Sequence, residues 1–421
     1  MSKGGRVLVV GGGAAGFFGA IAAAERGAEV VLLEKGSEFL SKVRISGGGR
    51  CNVTHACFES RSLSKRYPRG ERALIGAFSR FQPSDTIAWF RERGVVLKTE
   101  GDGRMFPVTD SSETIIDCLM AAARSAGVRL VSRCGLERLQ RSEGEGSEGT
   151  EWLASLSDGS EWRGGAVLIA TGGCRAGNMR HLLAGLGHDM DDPVPSLFSL
   201  HLRDEWSREL AGISLSDAEV SVQALRIAER GAMLLTHQGL SGPAILRLSA
   251  WGARVLAEQG YRFRLRVRWV AELTEEIVSN AFKQQRDRSP GRAVSSTPLF
   301  GVPSRLWDRL CGIAGIDDGV RWAILRREEA RELMSMLLGM EFEVVGKSLN
   351  KEEFVTCGGV RLKDVDFRTM ESRVCAGLYF AGEVLDIDGI TGGFNFQAAW
   401  TTAWIAANAM TSPKTFSRER P

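Results

Sequence analysis

The hydrophobic positions of this chain follow two rhythms, and the rhythm changes from one segment to the next. Arg6–Val10 and Ala28–Leu33 are short, nearly unbroken apolar runs, the pattern of parallel strands buried on both faces. Ala14–Glu25 between them is rich in alanine and suits a helix, with Gly27 placed as its C-cap. Ser84–Gly94 carries Ile87 and Phe90 on one side of an amphipathic helix, and Ser112–Ala126 is a further helix capped by Ser111 or Ser112. Val128–Ser132 and Ala166–Ala170 read as strands. Leu136–Gln140 and Trp152–Ser157 read as a small meander joined by the acidic, Gly-rich turn Ser142–Glu151.

The pattern shifts near Pro193. Short alternating strands run to about Trp269, and Ala271–Arg286 and Trp322–Leu338 are helical, separated by the Ser/Pro/Gly-rich loop Asp287–Pro298. After about Val355 the first pattern returns, with a strand at Gly377–Ala381 and an apolar helix from about Gln397 to Met410. No internal repeat is visible. A 421-residue chain exceeds a single core, so two or more domains are expected.

Glycines mark where this scaffold meets a ligand. Gly11, Gly13 and Gly16 give G-x-G-x-x-G between the first strand and the first helix. In a dinucleotide-binding turn the first glycine allows the bend, the second lets backbone approach a pyrophosphate, and the third lets helix pack on strand. Gly11, Gly13, Ala14, Ala15 and Gly16 are therefore expected to hold a cofactor's phosphates. Glu34, ending the second strand and followed by Lys35, is placed to accept hydrogen bonds from the adenosine ribose. Its carboxylate would repel a ribose 2′-phosphate, so NADP fits this position poorly.

A second segment, Lys42 to His55, contains Ser46, Gly47, Gly48, Gly49, Arg50, Cys51 and Asn52. Three consecutive glycines have little use inside a helix or strand, where each costs about 0.5–1 kcal/mol relative to alanine. They suit close backbone approach to a flat or phosphorylated ligand, with Lys42, Arg44 and Arg50 as cations beside it. A third segment follows the strand Gly377–Ala381. Gly382 and Glu383 are placed to reach ribityl hydroxyls, Asp386 and Asp388 lie just beyond, and Gly392, Gly393, Phe394 and Asn395 precede the last helix. A helix N-terminus there would stabilise negative charge on a reduced ring system. Together the three segments read as a split flavin site.

SGGGRCN after a Rossmann strand-helix-strand, with GE-x-L-D-x-D-G-x-T-G-G-x-N near the C-terminus, resembles a family of FAD-dependent oxidoreductases that includes aminoacetone oxidase, a dehydro-bile-acid reductase and a ribosomal RNA dihydrouridine synthase. Further matches are Ala170-Thr171-Gly172-Gly173, Pro195-Ser196-Leu197, Thr236 to Pro243 and Thr356 to Val360, so nearly the whole chain is covered. One departure is His55, where relatives often carry Asn. The resemblance implies an α/β, Rossmann-like FAD-binding domain split by an inserted β-barrel with a small helical subdomain. The expected parts are 1–192, an insert over 193–354 (barrel to about 270, helices over about 271–340), and 355–421. It adds Ala170, Thr171 and Gly172 as another flavin-facing loop.

Composition fits an ordinary soluble protein, with 43% hydrophobic and 25% charged residues. Eight cysteines without CxxC pairs or histidines at zinc spacing indicate neither a metal site nor a disulfide framework, which suits a reducing cytoplasm. The apolar N-terminus reads as the opening of the nucleotide fold rather than a signal peptide, and no run is long enough to span a bilayer. Net charge is only +3, yet Tyr261–Trp269 alternates strictly, putting Arg262, Arg264, Arg266 and Arg268 on one strand face. This basic stripe suits phosphate contact, unless neighbouring acids neutralise it. A second basic cluster, Arg61, Lys65, Arg66 and Arg69, flanks Tyr67.

Reducing a C=C bond requires hydride at one carbon and a proton at the other. Cys51 is a candidate acid, or a small apolar gap-filler. His237 is a candidate acid or substrate ligand, or a structural residue of its Gly-rich turn. Arg50 is placed to stabilise an anionic flavin or orient a carbonyl. The leading expectation is an FAD enzyme that takes electrons from NAD(P)H and reduces an activated C=C bond, with uracil in ribosomal RNA as the candidate substrate. Only one dinucleotide signature is present, so NAD(P)H is expected as a transient donor. The alternatives are a primary-amine oxidase producing hydrogen peroxide, and a non-catalytic flavin-dependent RNA-binding protein or redox sensor.

Overall fold

Arg6–Val10 sits inside a seven-stranded sheet, and Val7, Leu8, Val9 and Val10 are all buried. The strand order is Val365–Asp366, Glu371–Ser372, Leu378–Phe380, Ala166–Ile169, Arg6–Val10, Glu29–Leu33 and Arg129–Val131. The last five pair in parallel, whereas the two edge strands at the start of this order pair antiparallel. A strand from near the C-terminus thus lies two places from the first strand of the chain. Both ends of the sequence build one sheet. The computed structural model describes residues 5–143, 150–173, 177–348 and 355–412. Residues 144–149 of the expected acidic turn lie outside the described residues. The strands flanking it, Leu136–Glu143 and Thr150–Leu156, pair antiparallel and continue to Glu161–Gly164.

Helix Ala14–Ala24 packs against the last helix, Phe394–Thr411. Small residues make this approach close: a Cβ on Gly19 would come within 2.6 Å of Leu168 and 3.6 Å of Ala403 Cβ. The last helix begins at Phe394, three residues before the expected Gln397, because Gly393 adopts the left-handed conformation (φ +87°) and serves as its N-cap. Other differences lie in short elements without a strong periodic signal. Among these are the helices Ser60–Ser64 and Glu71–Phe78 and the small sheet formed by Thr54–His55, Arg104–Pro107 and Leu97–Thr99.

The chain forms two units, Met1–Val194 with Lys351–Pro421, and Pro195–Asn350. The second unit contains a closed six-stranded antiparallel barrel in the order Ser199–Leu202, Gly239–Ser241, Ile227–Thr236, Ser214–Val222, Phe263–Arg268 and Met340–Ser348. Its closing strand comes from beyond the helices Glu275–Arg288, Ser304–Ile313 and Arg327–Gly339, so the barrel does not end near residue 270. Phe263, Leu265 and Val267 point into its core with Leu200, Val220, Leu235 and Val344.

Candidate active site

The glycines of the first turn divide into two kinds. Gly11 has φ +113°, and a Cβ there would come within 2.4 Å of the Ala170 carbonyl oxygen. A Cβ on Gly16 would come within 1.8 Å of the Gly11 carbonyl oxygen. These two are required by the protein's own packing. Gly13, at the N-cap of helix Ala14–Ala24, would meet nothing within 4 Å. Its neighbourhood is open, and the helix N-terminus beside it is the kind of place that holds phosphate. Glu34 accepts hydrogen bonds from the Gly12 N–H (2.8 Å) and the Gly36 N–H (2.6 Å), which fixes its carboxylate at the end of the second strand.

The segment expected as a glycine loop starts as helix. The stretch Ser41–Gly49 breaks at Ser46 (φ −62°, ψ 146°), after which Gly47, Gly48 and Gly49 all have positive φ. Gly47 is hemmed in by Asn52 and Phe106, while Gly48 and Gly49 would meet nothing within 4 Å. The Cys51 N–H returns to the Ser46 carbonyl (2.9 Å) and closes the loop. With its amide oriented to satisfy both ends, Asn52 donates to the Thr54 carbonyl and accepts from the Gly393 N–H, both at 3.0 Å.

That bond ties the second segment to the third. Lys42 Nζ donates to Glu383 Oε2 (2.8 Å) across 341 residues of sequence, and the Thr356 N–H donates to Glu383 Oε1 (2.8 Å). Gly172 (φ +72°) stands beside both Glu383 and Lys42, and Gly382 stands against Ala15. The segments containing Gly11, Gly47, Gly172 and Gly392 therefore form one cluster. Within it the Thr171 hydroxyl is buried without a hydrogen-bond partner among the described residues. Asp386, 8% exposed, accepts from the Gly358 N–H (3.1 Å) and anchors the wall from behind.

Sequence reasoning missed the polar network that seats the last helix. Gln397 Oε1 accepts from Thr54 Oγ1 (2.6 Å) and Thr86 Oγ1 (2.9 Å), and Gln397 Nε2 donates to Thr401 Oγ1 (3.1 Å). Gln397 and Thr401 stand four residues apart in an apolar helix, and that spacing was the available signal. Tyr67, flanked in the sequence by the second basic cluster, is buried and donates its hydroxyl to the Phe394 carbonyl (2.6 Å). His55 packs edge-on to Phe394, with ring centroids 4.6 Å apart, and its Nδ1 lies 2.6 Å from the Gly103 carbonyl, which sets that nitrogen as the donor. Burial, aided by the Arg66 charge, pulls His55 down to about 4, so its ring is neutral at pH 7.

The candidate proton donors fare differently. Cys51 has φ +60° and no exposed surface, and burial pushes its thiol up to about 12 despite a hydrogen bond with Ser46. A thiol that stays protonated and reaches no open space supports the packing role over proton donation. Arg50 is engaged by Glu100 (2.7 Å) and stacks over Phe106, 4.0 Å from the ring centre, so its guanidinium serves the small sheet Thr54–Pro107. The Glu100 hydrogen bond raises its already high pKa. His237 is exposed in the turn between Ile227–Thr236 and Gly239–Ser241, in the second unit. The predicted cofactor residues all lie in the first unit.

The model of the HI0933-like protein Rossmann domain family matches residues 5–409. The chain belongs to this family. Two relatives span almost the same length: a 3-dehydro-bile acid delta(4,6)-reductase from Clostridium scindens, 28% identical over 96% of this chain and 98% of its own, and a ribosomal RNA dihydrouridine synthase from Escherichia coli, 29% identical over 97% and 98%. Among solved structures, 3-ketosteroid delta1-dehydrogenase from Sterolibacterium denitrificans covers 97% of this chain and 100% of its own at 12% identity, with a TM-score of 0.53, a likeness of fold. As a member of the HI0933-like family the chain is an FAD-dependent oxidoreductase. Its residues fit that cofactor. The open faces of Gly13, Gly48 and Gly49 leave a cradle that any Cβ would enter, and the Thr171 hydroxyl is an unanswered polar group beside it. Among the described residues no helix is long and apolar enough to cross a membrane.

Proposed function

We propose that the chain is an NAD(P)H-driven reductase of an activated C=C bond, with uracil in ribosomal RNA as the candidate substrate. The observation that carries the reductase reading is the near-complete match to two relatives, one named a delta(4,6)-reductase and the other a dihydrouridine synthase. Dihydrouridine differs from uridine by two hydrogens across one ring C=C bond. Bound FAD would supply two-electron transfer between the nicotinamide donor and the substrate.

The chain's own residues supply binding and orientation. Gly11, Gly13, Ala14, Ala15 and Gly16 would receive the pyrophosphate, and Glu34 the adenosine ribose. Ser46, Gly47, Gly48, Gly49 and Asn52 would give a backbone surface for the ring system, with Lys42 and Glu383 at its edge beside Thr171 and Gly172. The N-terminus of Phe394–Thr411, carrying Gly392, Gly393, Phe394 and Asn395, would stabilise negative charge developing nearby. Asn395 is already fixed by paired hydrogen bonds with the Gly389 backbone, at 2.8 and 3.0 Å.

The test is anaerobic rapid mixing of the purified flavoprotein with NADPH, NADH and aminoacetone separately, following flavin bleaching. Fast bleaching by a nicotinamide, followed by dihydrouridine in digests of RNA incubated with the reduced enzyme, is expected. Bleaching by the amine alone would overturn the reductase reading in favour of an oxidase.

A further inference from the structure

The basic stripe on the barrel is not the best phosphate-binding surface of this protein. Arg264, Arg266 and Arg268 do share the outer face of Phe263–Arg268, but acids stand opposite them on the adjoining strands. Glu343 is the cross-strand partner of Arg264, Glu341 of Arg266, and Glu219 of Arg268. Arg264 pairs with Glu341 at 3.6 Å, and Arg268 approaches Glu219 at 4.0 Å and donates to the Leu338 carbonyl. The stripe is largely neutralised where it stands.

The second basic cluster has a different environment. Arg61, Lys65 and Arg66 are exposed, and none makes an ion pair with any described residue. Arg61 and Lys65 are four residues apart, on and just after the short helix Ser60–Ser64. The nearest acid in sequence, Glu59, is occupied in capping that helix through the Arg61 and Ser62 N–H groups. Asp388 is buried and paired with Arg69, and Asp102 is paired with Arg104. Phe58, at 51% exposed, presents an aromatic face in the same segment. The segment that carries the cluster is joined to the candidate active site through Arg66, Tyr67 and His55. The Arg66 carbonyl accepts from the Ile390 N–H (2.9 Å), Tyr67 bonds the Phe394 carbonyl, and His55 stacks edge-on to Phe394.

We infer that Arg61, Lys65 and Arg66, with Phe58, bind a single-stranded RNA segment leading to the active site, the cations on its phosphates and Phe58 against a base. This rests on the RNA reading above. Exposed unpaired cations beside an aromatic face are what a single strand requires, because phosphates supply affinity and base stacking is tolerant of sequence.

The experiment measures binding of a labelled, uridine-containing single-stranded oligoribonucleotide to the flavin-loaded protein across a salt series. The triple variant Arg61→Gln/Lys65→Gln/Arg66→Gln is compared with Arg262→Gln/Arg264→Gln/Arg266→Gln on the barrel. Removing three phosphate contacts should lower the slope of log affinity against log salt by about 2, and the single variant Lys65→Gln by about 0.7. Phe58→Ala should weaken binding about tenfold. Phe58, Arg61, Lys65 and Arg66 are exposed, so flavin absorbance and melting temperature of their variants should stay at wild-type values. A steep wild-type slope that survives in the triple variant would overturn this surface while leaving the RNA reading intact. Absence of salt-dependent RNA binding by the wild type would remove both. If in addition the triple variant raised only the KM for NADPH, the cluster would be a site for the nicotinamide donor's phosphates.

Discussion

The glycine run Gly47–Gly49 and the arginines of Phe263–Arg268 look equally deliberate in the sequence, and the structure treats them in opposite ways. All three glycines have positive φ, and Gly48 and Gly49 face open space. The arginines meet acids from Ser214–Val222 and Met340–Ser348, strands about 45 and 75 residues away in the chain. A positive φ is a property of one residue's backbone, and a glycine in the sequence permits it wherever the chain needs it. Neutralisation of a charge depends on which strand folds alongside, and sequence near the charge says nothing about that.

The glycines themselves offer the sharpest break in this comparison and the largest expected effect. Gly13→Val should abolish flavin retention and leave the fold intact, because its Cβ meets no protein atom within 4 Å and its φ of −90° suits valine. Gly16→Val should lose both flavin and the cooperative melting transition, because its Cβ would fall 1.8 Å from the Gly11 carbonyl oxygen. Visible absorbance per protein and thermal melting separate the two. Full flavin occupancy in Gly13→Val would sink the proposed phosphate site.

The same distinction explains what could be read in advance. The strands Arg6–Val10 and Glu29–Leu33, the helix Ala14–Ala24 and the glycine turns declare themselves through local periodicity and backbone demands. The barrel's closing strand does not, since Met340–Ser348 is separated from Phe263–Arg268 by three helices and closure is a non-local event. Nor do the groups that align the site: the Lys42–Glu383 pair and the Thr54–Gln397 bond each join residues more than 340 positions apart. Cys51 shows the converse. Its place in the loop left proton donation and gap-filling both open, and its side chain turns into the core, which only the fold around the Ser46 kink determines.

Burial is the second term of the comparison, and Asp388 tests it. Arg69 and Asp388 form a bidentate pair whose carboxylate is wholly buried beside the loop leading to Phe394, in contrast to the exposed pairs on the barrel. Asp388→Asn removes the buried carboxylate from this pair, whose guanidinium is 12% exposed, and should destabilise the protein by about 3 kcal/mol in denaturant unfolding. A loss below about 1 kcal/mol would mean that this pair behaves like an exposed one.

His55 gives a smaller, pH-dependent effect. Its ring titrates near 6.5 when unfolded and near 4 when folded, chiefly because burial disfavours its charged form. Between those values the unfolded chain binds a proton that the folded chain refuses. The stability held by neutral His55 is therefore complete above about 6.5 and is lost as pH falls towards about 4. His55→Asn removes this contribution. The stability difference between wild type and variant should shrink across that window by at most about 1 kcal/mol per pH unit, less because the ring is partly exposed. A constant difference from pH 7 to pH 4 would show that His55 does not titrate in this way.

The smallest effect belongs to the arginine stripe, and its smallness is the point. Arg264 lies 84% exposed beside Glu341 at 55%, in a pair 3.6 Å long that solvent screens. Such a pair is worth about 0–1 kcal/mol. Arg264→Gln should therefore shift the denaturation midpoint barely at all, and raising salt should erase what difference remains. Arg268→Gln should cost somewhat more, because that guanidinium also donates to the Leu338 and Ala271 carbonyls at 3.2 and 3.4 Å and is only 33% exposed. If Arg264→Gln instead raised stability, repulsion among the stripe's own cations would outweigh the cross-strand acids. The barrel face would then be electrostatically positive after all, and the contrast with the glycine run would fail at its weaker end.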